Sequence, residues 1–448
     1  MLSGALAIAG RIWSKGSKPQ KTLPPDFMSL PLELKIAVVR MCEPADIVVL
    51  GNLATRVLLA IADNKAARLS SEMRSITLPI LYHSVDLSCH RDRGIIKSSL
   101  IDVEPDNPIR ADKNGRVVQI IRRQLSFMHT ILVHPEYAPQ IKSLTWTFFN
   151  LVDNSNGGVE VKEGPLWKCF KAMRNIEILD FCSLAMWHEF HTPPPLFFSA
   201  TIISLGGPMS FALATSILQS RDPALITTLE LNNLQDLGQL RKGKNLAGNE
   251  DLSVLRETMY PNKTPKVRHP GPMRDHLRNL TGKCTSLRHL ALRSLGDDYM
   301  SHYFWSATLD EIRYKQWAAF INSVRDTLRT FEFEQGISPQ LHNQGGCGTG
   351  RGRMPLQMIR PMDERYITFI APVLIHGPWP ALNKVVIRGV GGSVQDRCAH
   401  ATRIDDLGRI ADSHHRLRQA LEPKVLLTLE REATKTFYCR ANTNYYSS

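Results

Sequence analysis

Short apolar patterns recur along the chain from residue 141 onward. In most copies an apolar residue occupies the first, fourth and sixth positions. Such alternation is typical of a short strand with one buried face. The fourth positions of the seven copies are Leu144, Leu179, Leu205, Leu229, Leu290, Phe331 and Val385. We expect these residues to lie on parallel strands in chain order, with Leu179, Leu229, Leu290 and Val385 facing one core.

The spacing of these strands indicates a repeating architecture with insertions. The seven positions lie 35, 26, 24, 61, 41 and 54 residues apart, and a regular leucine-rich repeat has a period of about 20–29 residues. Helical periodicity at 211–218 and 317–328 completes a strand-turn-helix unit. We therefore predict an α/β fold in which an irregular leucine-rich-repeat-like solenoid spans 141–395, with insertions at 241–285 and 339–356. An ordinary α/β domain with unrelated strands is the alternative.

The residues before this region predict a small helical module behind a basic arm. Residues 1–27 carry several Lys and Arg before the first acidic residue, and we expect a basic flexible arm there. Residues 28–75 combine helically spaced apolar residues with a proline at a helix start and a stop at Glu43-Pro44. So small a unit buries little surface alone, so we expect it to pack on the rest of the chain or to offer an apolar face to a partner.

Two further segments complete the predicted organisation. Residues 76–140 should connect the module to the repeats, with a helix that ends near Pro79, a first strand at 84–87 and then a polar loop. Residues 396–448 are expected to form a helical cap or tail.

The N-terminal module resembles an F-box, a three-helix unit whose apolar face docks on a Skp-family adaptor of a cullin ubiquitin ligase. The resemblance rests on Leu30-Pro31-Leu32-Glu33-Leu34 and the apolar residues after it. Residues 78–87 are similar to the P-x-L-Y-x-x-V-D-L segment that follows the F-box in many filamentous-fungal proteins, and 206–238 look like the repeat region of that group. The adaptor-binding residues that the resemblance implies are Leu30, Pro31, Leu34, Val38, Ile47 and Leu50.

Composition places the chain among globular proteins. Hydrophobic residues make up 43% and charged residues 22%, which excludes a wholly disordered chain. No apolar run is long enough for a transmembrane helix, so no membrane association is expected. The eight cysteines form no C-x-x-C pair, which fits reduced thiols in the cytoplasm and/or nucleus rather than a zinc ribbon.

No motif predicts catalysis, a cofactor or a metal. The glycine-rich run at 345–353 lacks the preceding strand and following helix that a phosphate-binding loop needs. His188 and His191 have no further ligand at metal-binding spacing. No G-x-S-x-G motif places a nucleophilic serine. We therefore expect a protein that is not an enzyme and needs no cofactor.

Much of the net charge of +13 lies between Arg241 and Arg288. This stretch holds 11 basic and 4 acidic residues, so its charge is 11 − 4 = +7. Arginine forks match phosphate oxygens, and the expected recognition residues for a phosphorylated or acidic protein substrate are Arg268, Arg274, Arg278 and Arg288. A solvated insertion is the plainer alternative. Nucleic acid is less favoured, because the stretch lacks interleaved aromatic residues.

Three functional hypotheses follow. The first is the substrate-recognition subunit of a Skp-cullin-F-box type ubiquitin ligase, which binds the adaptor through its N-terminal module and an unknown protein substrate through its repeats. The second is a leucine-rich-repeat-like interaction scaffold without adaptor binding, suggested by Cys42, where the F-box pattern has leucine. The third is a basic nucleic-acid-associated protein, whose affinity would fall steeply with rising salt.

Overall fold

A computed structural model describes eight segments of the 448-residue chain. They are residues 78–89, 116–148, 163–183, 193–236, 271–294, 307–335, 361–391 and 404–430. The basic arm, the F-box-like module at 28–75, most of the insertion at 241–285 and the glycine-rich segment at 339–356 lie outside the described residues.

Ten strands form one sheet. They are β1 (Ser84–Leu87), β2 (Ser143–Phe148), β3 (Ile178–Ser183), β4 (Ile202–Met209), β5 (Thr228–Asp236), β6 (Gly271–Pro272), β7 (His289–Ser294), β8 (Thr330–Gln335), β9 (Lys384–Arg388) and β10 (Leu426–Glu430). Nine of them lie side by side in chain order in a parallel sheet that is not closed. The short β6 pairs antiparallel with the end of β5. The predicted α/β class and the parallel strands in chain order are therefore confirmed.

Helices separate most of the neighbouring strands, although none of the described α-helices lies between β3 and β4 or between β5 and β7. They are α1 (Arg116–Val133), α2 (Glu163–Ala172), α3 (Phe211–Leu218), α4 (Ala307–Ser323), α5 (Pro361–Arg365), α6 (Ala371–His376) and α7 (Ile404–Leu421). A π-helical turn, Tyr366–Ile370, joins α5 to α6, and residues 78–83 are also helical. The start of α3 has a local cause, because the Ser210 side chain accepts a hydrogen bond from the Leu213 amide at 3.2 Å.

Two apolar rows on one face of the sheet form its core. The first row is Leu179, Ile203, Leu229, Leu290, Phe331, Val385 and Leu427. The second is Phe181, Leu205, Leu231, Leu292, Phe333, Ile387 and Leu429. From β3 to β9 every member of both rows is at most 1% exposed. The four residues expected to face one core do so.

The fold also corrects several details of the prediction. Leu205 lies in the second row, and Ile203 takes the place predicted for it. The frame there was ambiguous, because Gly207 stands where the pattern has its last apolar residue. The helical residues 78–83 run past Pro79, where a helix end was predicted.

Other elements were missed or misplaced. The connecting segment contains the 18-residue helix α1, which was not predicted. Helix α4 starts ten residues before the predicted 317 and ends at Ser323. The C-terminal region contains the predicted helix, α7, and also β10, which extends the sheet beyond residue 395.

The contacts divide the chain into two units, and the described part of the first is small. It comprises residues 78–85 and 133–143. The rings of Tyr82 and Tyr137 lie 5.2 Å apart, and the Lys142 amide donates to the His83 carbonyl at 3.0 Å. These contacts hold the two short segments together.

The second unit contains the other described residues and an aromatic cluster at its β2–β4 end. Phe170 lies 5.2 Å from Trp146 and 5.4 Å from Phe181, measured between ring centroids. Phe197 lies 5.3 Å from both Phe170 and Phe181. Large buried rings of this kind dominate core energetics, so the cluster anchors α2 on the sheet.

Candidate functional site

The second face of the sheet carries polar and charged residues in register across its strands. One row is Asp180, Ser204, Glu230, Ala291, Glu332, Val386 and Thr428. The next is Cys182, Gly206, Asn232, Arg293, Glu334, Arg388 and Glu430. We call these two rows the polar face. Neighbouring strands lie about 4.8 Å apart, so charges in these rows interact directly.

Arg293 on β7 is the centre of this face. Its guanidinium donates to Glu230 Oε2 at 3.1 Å and to Glu332 Oε2 at 2.8 Å. It also donates to Asn232, whose side-chain amide donates to Ser204 Oγ at 3.1 Å. Ala291 lies between the two glutamates in register, and its small side chain leaves room for the arginine to reach both.

The alternation of charge continues to the last strand. Arg388 Nε donates to Glu430 Oε2 at 2.8 Å, and its Nη1 lies 3.8 Å from Glu332 Oε2. The result is a charge ladder across β5 to β10, formed by Glu230, Arg293, Glu332, Arg388 and Glu430. The side chains of Arg293, Glu332 and Arg388 are 15%, 17% and 20% exposed, and that of Glu430 is 46% exposed. Solvent therefore reaches the ladder.

The polar face is acidic, although the chain as a whole is basic. Its rows hold five carboxylates, Asp180, Glu230, Glu332, Glu334 and Glu430. Two arginines in the rows and Lys384 beside them on β9 give a formal charge of 3 − 5 = −2, against +13 for the chain. The face can therefore offer charge-assisted hydrogen bonds to a cationic group.

Sequence reasoning missed this site. The ladder residues stand between or directly after the apolar positions of the strand pattern, as in Leu229-Glu230-Leu231 and Phe331-Glu332-Phe333. Alternation with a core row was the available signal, since it places such residues on the second face of the sheet. Their mutual pairing depends on strand order, which brings Glu230 beside residues more than 60 positions away.

A second polar cluster is buried beyond the carboxyl ends of β7 and β8. Asp310 on α4 is fully buried and pairs with Arg313 and with Arg365. Arg313 also donates to Ser294 Oγ at 2.6 Å, and its guanidinium carbon lies 4.6 Å from the centre of the Trp317 ring. We call Asp310, Arg313 and Arg365 the buried ion cluster.

Neighbouring polar groups extend this cluster to the ends of β8 and β9. Gln335 donates to Asp363, and the Gly391 amide donates to the same carboxylate at 3.2 Å. Tyr314 donates to the Gln335 side chain at 3.1 Å. Gln335 and Asp363 are both 0% exposed. A ligand has no access here, so these contacts join α4 and α5 to the strand ends.

Of the four arginines predicted to recognise a substrate, Arg274 and Arg288 lie apart from each other. Arg274 follows β6 by two residues, at the carboxyl end of β5, and is half-buried. Arg288 is exposed directly before β7, at the amino edge of the sheet. A six-residue strand such as β7 is roughly 20 Å long, so Arg274 and Arg288 lie at opposite edges. Arg278 is exposed in the turns between them. Arg268 and the six predicted adaptor-binding residues lie outside the described residues.

The described segments offer little else for a ligand. A cleft of about 150 Å³ between α6 and α7 is lined by residues that include His376, Arg409 and Arg416. It is smaller than the roughly 300–1,000 Å³ of typical small-molecule sites. Across the described part of the chain, no three His, Cys, Asp or Glu residues are grouped as metal ligands, and no helix there is long and apolar enough to cross a membrane. His188 and His191 lie outside this part.

Comparison with known proteins found no matching family model, no matching curated protein and no matching solved structure.

Proposed function

We propose that this chain is a non-enzymatic substrate-recognition subunit of a Skp-cullin-F-box type ubiquitin ligase. The N-terminal module binds the adaptor through Leu30, Pro31, Leu34, Val38, Ile47 and Leu50. A leucine-rich-repeat-like solenoid binds the protein substrate, in the cytoplasm and/or nucleus. The observation that carries the proposal is the parallel sheet whose strands follow chain order and share one polar face.

That arrangement suits protein recognition for a geometric reason. Strands that stack in chain order each place the same register positions on one continuous surface. The polar face has partly exposed charges across five strands. Each carboxylate of the ladder contacts an arginine, and such paired groups offer charge-assisted hydrogen bonds to a partner. Binding is the chemistry that these side chains support.

The adaptor half of the proposal is tested by binding. The full chain with Leu30→Ala and Pro31→Ala should bind a purified Skp-family adaptor more weakly by about 2–4 kcal/mol, because interface energy concentrates in a few apolar anchors. Isothermal titration calorimetry measures this change. Leu225→Ala, at a side chain 49% exposed in the second unit, is the control and should keep the parent affinity.

The outcomes separate the two protein-binding hypotheses. Equal adaptor affinity for the parent and the double variant would remove the F-box assignment. If the parent chain binds no adaptor, the remaining protein-binding hypothesis is the interaction scaffold that Cys42 suggests. The polar face disfavours nucleic acid, because the formal charge of this face, 3 − 5 = −2, repels phosphates.

A further inference from the structure

We propose that the polar face binds an extended protein segment rich in arginine or lysine. This inference rests on the proposed function and specifies the chemistry of the substrate. It reverses the acidic or phosphorylated substrate expected from the basic stretch between Arg241 and Arg288. The reason is local charge: the face carries 3 − 5 = −2, whereas the chain carries +13.

Two carboxylates in the ladder have an oxygen available to a cation. Both ladder contacts of Glu332 go to Oε2, and the contact of Glu430 with Arg388 also uses Oε2. Oε1 of each therefore has no hydrogen-bond partner among the described residues. A guanidinium or ammonium group that approaches Glu332 or Glu430 can bind Oε1 while the ladder stays intact.

The spacing of these two acceptors fits an extended chain. Glu332 on β8 and Glu430 on β10 are separated by one strand, β9, and Glu430 is in register with Glu334, two residues beyond Glu332. The two glutamates therefore lie about 12 Å apart, roughly 10 Å across the strands and roughly 7 Å along them. Four residues of an extended chain span a similar distance, roughly 13 Å at about 3.3 Å per residue, and residues four apart point to the same side. A segment that crosses the strands can therefore place one basic residue over each carboxylate.

The net charge of the whole chain is positive and opposes the proposed basic ligand. At +13, the chain repels a cationic peptide on average, so binding of such a peptide requires a local acidic site. Lys384 on β9 pairs with Thr330, two residues before Glu332 on the same face, and makes no ion pair with a described residue. Its charge opposes the proposed ligand, so removing that charge should strengthen binding.

The test uses three fluorescein-labelled 12-residue peptides with the full chain. They alternate Arg-Ser, Gln-Ser and Glu-Ser, and fluorescence anisotropy measures their Kd. We expect the Arg-Ser peptide to bind most tightly. Glu332→Gln with Glu430→Gln should weaken its binding about tenfold or more, because charge-assisted hydrogen bonds are lost at near-constant side-chain volume.

The control has the same charge change elsewhere. Glu311→Gln with Glu422→Gln removes two carboxylates from α4 and from the residue after α7, and should leave the Kd within about twofold. Lys384→Glu should tighten Arg-Ser binding at least threefold. This gain keeps the inference testable if the Glu332 variant folds poorly.

Preference for the Glu-Ser peptide, or equal weakening by the control pair, would overturn the inference. So would unchanged binding in the Lys384→Glu variant. Adaptor binding by the same preparations is measured in parallel. A parent that binds adaptor but not the Arg-Ser peptide would refute only the basic-substrate inference, whereas a parent that binds the peptide but no adaptor would refute only the ligase role.

Discussion

Gly389 lies so close to the carbonyl group of Gln335 that a Cβ atom at this position would be 1.6 Å from the carbonyl oxygen. Gly207 has the same relation to Ser183, where the distance would be 1.9 Å. Both glycines have positive φ, +76° at Gly389 and +78° at Gly207. Each glycine directly follows a residue that pairs with the second-to-last residue of the preceding strand. Recurrence of one unusual backbone geometry at one register position supports the repeat architecture that we propose.

The close approach at Gly389 predicts a stability effect. Gly389→Ala should lower the free energy of unfolding by about 3 kcal/mol or more, because the methyl group meets backbone and the φ angle is unfavourable for alanine. Urea unfolding measures the change. Gly408→Ala in α7, where a Cβ meets nothing within 4 Å, should instead stabilise by about 0.5–1 kcal/mol. A similar, small effect of both substitutions would contradict the close approach.

Most of the sheet could be predicted from the sequence, because a buried strand row needs apolar residues at alternate positions. That requirement allowed the strands around Leu229, Leu290 and Phe331 to be predicted from the sequence. The search for regularly spaced apolar residues did not find α1. Its apolar residues are interrupted by polar ones, and one of these, Gln124, is buried. Its side-chain amide donates to the carbonyls of Leu87 and Thr147, both at 2.8 Å. No periodicity argument assigns a glutamine to that role.

The core row gives a second prediction. Leu229 is 0% exposed at the middle of the sheet, so Leu229→Ala should destabilise the chain by roughly 2–5 kcal/mol through lost transfer energy and a residual cavity. Leu225→Ala, four residues earlier and 49% exposed, should change stability by less than about 0.5 kcal/mol. Thermal unfolding followed by circular dichroism compares the two. Equal shifts in Tm would mean that residue 229 does not face the core.

The buried ion cluster gives a third prediction. Asp310→Asn leaves Arg313 and Arg365 without the carboxylate that both contact, so the loss of stability should be about 3–5 kcal/mol. The adjacent Glu311 pairs with Lys315 at the surface, and Glu311→Gln should cost under about 1 kcal/mol. Chemical denaturation of both variants checks the difference. A cost below 1 kcal/mol for Asp310→Asn would show that the two arginines do not depend on it.

The candidate site was much less predictable than the sheet. Glu230 and Arg293 are 63 residues apart, and their contact exists because β5 and β7 are neighbours across an insertion. The sequence places each residue on the second face of its own strand, but the pairing follows from register. The prediction of a recognition cluster between Arg268 and Arg288 rested on local charge density alone. Local density does not say that Arg274 lies at the carboxyl edge of the sheet and Arg288 at its amino edge.

His276 gives the last prediction, which concerns pH. The residue is 1% exposed, and burial together with the positive charge of Arg313 lowers its pKa from 6.5 to about 3. Between these two values the unfolded chain binds a proton at this site that the folded chain does not. Stability therefore rises with pH through this window and is lost as the pH falls from about 6.5 towards 3. Between pH 7.5 and pH 5.0 the expected loss from this residue is about 2 kcal/mol.

The measurement is the free energy of unfolding in urea at these two pH values. His276→Leu removes the titrating group, so its stability should fall by about 2 kcal/mol less than that of the parent over the same interval. Comparing the two pH values within each variant cancels any packing cost of the leucine itself. Leu225→Ala, at an exposed side chain that carries no titrating group, is the control and should keep the pH dependence of the parent. If His276→Leu also keeps it, the imidazole of His276 is already protonated or solvated in the folded chain, and its burial beside Arg313 does not control acid stability.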